Sequence, residues 1–136
     1  MKIIAIKGRH DCGKSETVGI HLKEMITGRI VPKENWWKEK DKRESVSYEG
    51  NVIDICAPGD SEEIVRANIT FFEKHPCDIA FTATRSRGHG CWALEDYAKE
   101  KGAELIWINK EYNLNIDEEC QIKTNKQLAE KLFEMI

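Results

Sequence analysis

Gly8-Arg9-His10-Asp11-Cys12-Gly13-Lys14-Ser15 is the stretch whose reading decides the fold. It follows the spacing G-x-x-x-x-G-K-[ST]. Immediately before it, Lys2–Lys7 (KIIAIK) is a compact β-branched run of the kind that forms a buried strand. Immediately after it, Val18, Leu22, Met25 and Ile26 recur at helical spacing from Lys14 to about Thr27, and Gly28 supplies a stop. A glycine-rich turn between a strand and a helix suits an anion. Gly8 and Gly13 allow a tight turn whose successive N–H groups point inward, and the helix start adds unpaired donors and the positive end of its dipole. Read without a ligand, the same residues would be only a flexible turn.

With these residues in place, the chain resembles the P-loop NTPase superfamily. That resemblance implies an α/β fold, a three-layer sandwich with a mostly parallel sheet flanked by helices. It also implies a nucleoside triphosphate, expected to be ATP, bound with Mg²⁺. Position by position, Gly8, Asp11, Cys12, Gly13, Lys14, Ser15 and Thr17 are the expected nucleotide-binding residues. Lys14 would reach the β- and γ-phosphates, and the Ser15 hydroxyl would ligate the metal.

The remainder of the chain alternates short apolar runs with helical patterns, and no linker or repeat divides it. Residues 33–44 are charged except for Asn35, Trp36 and Trp37, and are expected as a mobile excursion from one domain spanning 1–136. Ser45–Tyr48 and Asn51–Cys56 flank Glu49-Gly50 as a hairpin. Asp60-Ser-Glu-Glu63 opens a helix with a capping-box pattern, and His75-Pro76 ends it. Cys77–Thr84 reads as a strand, Cys91 to Lys101 as a helix closed by Gly102, Glu104–Asn109 as the last strand, and Thr124 to Ile136 as a docked helix. Strands separated by helices indicate a parallel sheet, in which ligands bind beyond the carboxyl ends of the strands.

A phosphate loop needs a second group to order its metal, usually an Asp at a strand end. Asp54, following Val52 and Ile53, is the expected metal ligand beside Ser15, or else the outward residue of an edge strand. Asp60, next to Gly59, is the expected catalytic base or water-orienting group, or else the N-cap of the following helix. Arg85 and Arg87, in a loop flanked by Gly88 and Gly90, would neutralise a transferring phosphoryl group alongside Lys14, or else be solvated turn residues. Thr82 or Thr84 could sense the γ-phosphate through a hydroxyl. The hairpin with its acidic loop is similar to small GTPases. However, Ala57 stands where their D-x-x-G carries glycine, and Tyr112 stands where their N-K-x-D, matched by Asn109-Lys110, carries the base-reading Asp.

Composition narrows the function classes. Hydrophobic residues are 40% and charged residues 33%, and no apolar run approaches the roughly 20 residues of a spanning helix, so no membrane role is expected. A formal charge of -3 disfavours nucleic acid as a partner. Cys12, Cys56, Cys77, Cys91 and Cys120 are an odd, scattered set without an export signal, as in a cytoplasmic protein with reduced thiols. No clear protein interface is offered. The expected function is Mg-dependent phosphoryl transfer, with NTP hydrolysis first. The alternatives are a small nucleotide or small-molecule kinase, in which case a small-molecule acceptor is a second partner, and a non-catalytic nucleotide-sensing module.

Overall fold

The computed structural model describes residues 1–9, 12–111 and 117–136. Strand β1 (Lys2–Lys7) lies between β4 (Ile79–Thr84) and β5 (Glu104–Asn109), parallel to both. β3 (Asn51–Cys56) runs parallel to the other side of β4, and β2 (Arg43–Tyr48) closes that edge antiparallel to β3. The order is therefore β2-β3-β4-β1-β5. The β2–β3 turn is Glu49-Gly50, with φ of 47° and 82°, the left-handed pair that matches strand twist in a two-residue hairpin.

Because side chains alternate across a strand, β1 serves both faces. Ile4 and Ile6 meet Ile53, Ile55 and Phe81 on one side, and Ile3 and Ala5 meet Cys56 and Ala80 on the other. Ile3, Ile4 and Ile6 are fully buried, each stabilising the fold by roughly 1.5–3 kcal/mol. Helix α1 covers the first face. Its segments Lys14–Glu16, Thr17–Leu22 and Lys23–Thr27 run end to end, the middle one with π-helical geometry, and Gly28 closes it at φ 72°. The carboxyl-terminal helix α5 (Glu118–Glu134) packs on the same face through Ala129 and Leu132. The second face is covered by α3 (Glu62–Lys74) and α4 (His89–Lys101), through Val65, Phe72, Leu94 and Tyr97. Three layers result, helices on both sides of a five-stranded, mostly parallel sheet, as the alternation of runs implied. Among the described residues no helix is long and apolar enough to cross a membrane.

Several boundaries differ from the sequence reading. Residues 33–44, expected as a mobile excursion, carry a 3-10 turn (Lys33–Asn35), the short helix α2 (Trp36–Glu39) and the first two residues of β2. Some of their charges are paired: Lys23, only 1% exposed, pairs with Glu44 at 3.4 Å, and Arg29 pairs with both Glu39 and Glu44. Trp36 donates its indole N–H to the Val31 carbonyl and meets His21 edge-on. Helix α5 starts at Glu118 rather than Thr124, because Asp117 caps it by accepting the Cys120 amide at 2.8 Å. Helix α3 is capped by Ser61, whose hydroxyl accepts the Ile64 amide, so Asp60 is not the cap.

Gly19, in the π segment, explains where the excursion lies. A Cβ there would fall 2.0 Å from the Lys40 carbonyl oxygen, so the helix and residue 40 touch backbone to backbone. This contact holds Lys40 and Asp41 against the amino-terminal half of α1.

Candidate functional site

The loop after β1 rises between two strand ends. The Gly8 amide donates to the Thr84 carbonyl at 3.3 Å, and the Lys110 amide donates to the Lys7 carbonyl at 2.9 Å. A Cβ on Gly8 would lie 2.7 Å from the Cys12 Sγ and 2.8 Å from the Lys110 carbonyl oxygen, so only glycine fits. Gly13 has φ +91°, a conformation L side chains rarely adopt, and a Cβ there would run into the amide of Asn125. Gly13 caps α1, whose first internal bond is Thr17 N–H to the Gly13 carbonyl. The amides of Lys14, Ser15 and Glu16 therefore point out of the helix start with no partner within the helix itself.

Lys14 is 5% exposed, although it carries a charge. Its Nζ donates to the carbonyls of Gly8 at 2.7 Å and Arg9 at 3.0 Å, and stands 3.8 Å from the Asp60 carboxylate. The ammonium group thus sits over the loop, between its backbone and an acid of the segment that joins β3 to α3. Asp60 reaches this level because Gly59 hugs β4, where a Cβ would fall 1.9 Å from the Ala83 carbonyl oxygen.

Beside Lys14 opens a cavity of about 490 Å³, whose walls include Cys12, Gly13, Lys14, Ser15 and Asp60. No family model matches the chain, and neither a curated protein nor a solved structure does. The site's chemistry therefore rests on its own geometry. Lys40 and Asp41 form one wall, Lys110 and Glu111 another, and Gln121, Thr124 and Asn125 of α5 a third. Burial pushes the Lys110 ammonium below its ordinary value, only partly offset by Cys12 and Glu16. An anion in the cavity would relieve that penalty. Asn125, 3% exposed, donates to Glu16 at 3.2 Å and lies against Gly13, tying the last helix to the loop.

The structure brings Gly8, Cys12, Gly13, Lys14, Ser15 and Asp60 together and separates the other expected residues from them. Asp11 lies outside the described residues, as does Tyr112. Thr17 is fully buried, and its hydroxyl donates to the Gly13 carbonyl at 2.8 Å, so it is turned into its own helix. Thr84 likewise donates to the Arg85 carbonyl, and Thr82 accepts from Asn68.

Asp54 is a correction. It pairs across the sheet with Ala80, which pairs with Ile3. Gly8 is five residues further along β1, roughly 16 Å at strand rise. Asp54 also shares the face of Cys56 and Ala80, opposite α1, so it is no partner for Ser15. Its carboxylate is fully buried and both oxygens lack a hydrogen-bond partner. Desolvation raises its pKa, against weaker opposing contributions from Ser45, Cys77 and His75.

Arg85 and Arg87 lie outside the walls of that cavity. Both are exposed and line a separate hollow on the other side of Asp60, rather than the cavity beside Lys14. Sequence reasoning missed Lys40, Asp41 and Asn125 as walls of the site. The signal available was Gly19, a glycine inside an otherwise helical run.

Proposed function

We propose that the loop Gly8–Ser15 grips the polyphosphate of a nucleoside triphosphate, most simply ATP, with Mg²⁺, and that the chain is a P-loop NTPase-like domain carrying out phosphoryl transfer. One observation carries this reading: a nearly buried ammonium, Lys14, is held over the carbonyls of a glycine loop at a helix start and faces Asp60. An ammonium that leans on main-chain carbonyls can exchange them for phosphate oxygens. A triphosphate tail gives that charge a purpose.

Mg²⁺ binds through one or two protein oxygens together with phosphate oxygens and waters. Ser15, on the cavity wall, offers an oxygen of that kind, whereas Asp54 is fully buried on the sheet face opposite α1. Bound there, the ion would neutralise charge on the β- and γ-phosphates. The chain's own residues do the rest. Main-chain amides at the start of α1 hold phosphate oxygens, and Lys14 swings from its carbonyl partners to the phosphates. Asp60 orients the attacking oxygen and takes up its proton. With water as the acceptor the reaction is NTP hydrolysis. Small-molecule kinase activity is a second reading, favoured by the hollow that shares Asp60. A sensing module with no turnover is the third.

The test is calorimetric titration with ATP and with GTP in Mg²⁺, paired with release of labelled γ-phosphate. Lys14→Ala is expected to weaken nucleotide binding by 10-fold or more, as loss of a charge-assisted contact worth about 1.5–3 kcal/mol. Binding without label release would leave the sensing module. No heat and no change in melting temperature at saturating nucleotide would refute the reading.

A further inference from the structure

A second hollow of about 360 Å³ opens beyond Asp60, with Gly59, Glu62, Arg85, Arg87 and His89 on its walls. Its size lies within the range of small-molecule pockets. Water as the only acceptor needs no such space. The hollow's lining carries two arginines and two acids, and each acid has a cation of its own, Asp60 facing Lys14 at 3.8 Å. Glu62 is already engaged by Arg66, which donates to one of its oxygens at 3.1 and 3.0 Å. Arg85 and Arg87 are both exposed, and the Arg85 carbonyl is fixed by the Thr84 hydroxyl at 2.8 Å and the Cys91 thiol at 3.1 Å. Arg85 therefore springs from an anchored backbone, with Arg87 two residues on. His89 is held edge-on against exposed Trp92, with ring centroids 4.7 Å apart. Among the described residues Asp60 is the acid that borders both hollows, and its carboxylate stands 3.8 Å from the Lys14 ammonium on the first side.

We propose that this hollow is the subsite of a phosphoryl acceptor: a small phosphorylated molecule that carries a free hydroxyl. The proposal rests on the reading of the first cavity as the triphosphate site. Arg85 and Arg87 bind the acceptor's own phosphate, for which the guanidinium fork is suited. That contact aims the hydroxyl back at Asp60. The hydroxyl oxygen attacks the γ-phosphorus, and the bond from that phosphorus to the β,γ-bridging oxygen breaks. The nucleoside diphosphate leaves with the electron pair, and the hydroxyl proton passes to the Asp60 carboxylate. Without an acceptor, water takes its place and hydrolysis is the basal reaction.

The experiment uses the full chain with Mg²⁺ and ATP labelled in the γ-phosphate. Sugar phosphates and nucleoside monophosphates are compared with the same sugars and nucleosides lacking phosphate. Label is expected on at least one phosphorylated acceptor, at a rate about 10-fold or more above its neutral counterpart. In the Arg85→Ala, Arg87→Ala double variant the acceptor KM is expected to rise about 10-fold, with a smaller change in kcat. Arg85→Lys with Arg87→Lys should recover part of the loss, which a purely structural role would not predict. If ATP binds by calorimetry but label passes only to water, or equally to neutral acceptors, the acceptor subsite is overturned while the triphosphate site stands. An unchanged acceptor KM in the double alanine variant overturns it equally. If ATP does not bind at all, both readings fall.

Discussion

Replacing Asp54 with asparagine is expected to make the protein more stable at neutral pH. Asp54 is fully buried in β3, and neither carboxylate oxygen has a hydrogen-bond partner. Desolvation raises its pKa above the ordinary 3.8. A carboxyl whose folded pKa is raised holds its proton more tightly in the folded state. Its contribution is therefore most favourable below the unfolded pKa and is lost as pH rises through the folded one. An uncompensated buried charge costs about 3–5 kcal/mol. An asparagine amide of similar shape, left without a full set of partners, costs about 1–3 kcal/mol. The net gain at pH 7–8 is about 2 kcal/mol, or roughly 7 °C in Tm for a chain of this length. Thermal unfolding of both proteins at pH 4, 6 and 8 measures it. The two curves should converge near pH 4 and separate as pH rises. ATP affinity in Mg²⁺ should stay the same, because Asp54 lies on the wrong face and too far down the sheet. An unaltered Tm difference across that pH range would refute the stability reasoning. A large loss of Mg²⁺-dependent affinity would refute the placement of Asp54 away from the site.

Other perturbations report on the loop and its surroundings. Gly13→Ala forces a side chain into φ +91° and into Asn125, so Tm should fall by several degrees and calorimetric ATP binding should be lost. Lys110→Gln removes a buried cation from the cavity wall and should raise the ATP dissociation constant about 10-fold, with little change in Tm. Ser61→Ala removes the α3 cap, costing about 1 kcal/mol and roughly 3–4 °C in a thermal scan.

The sheet and its helices were legible because their signals are local. Ile3, Ile4 and Ile6 mark a strand buried on both faces, Gly28 and Gly102 mark helix ends, and Glu49-Gly50 marks the hairpin. The start of the first helix at Lys14, soon after β1, was legible for the same reason. Asp54 was misplaced because a strand's composition does not say which face a residue takes or how far it lies from a neighbour's end. Register decides both, and the pairing of Asp54 with Ala80 is a long-range fact. Helix α5 was begun too late because its start is signalled by a single capping side chain, Asp117, among other polar residues. The charged stretch 33–44 reads as mobile because most of its charge partners, Lys23, Arg29 and Glu118, lie outside it in the chain. Lys40, Asp41 and Asn125 come to the cavity from distant parts of the chain, and nothing in their local sequence announces that meeting.

The bare backbone at Gly19 also acts as a spacer. A methyl group there would have to push the Lys40 carbonyl back by roughly 1.4 Å to reach ordinary contact distance. Residues 40 and 41 line the cavity beside Lys14, so a shift of that carbonyl would move this wall with it. The width of the cavity is thus gauged by a hydrogen atom on a helix turn, at a position that is itself absent from the cavity walls.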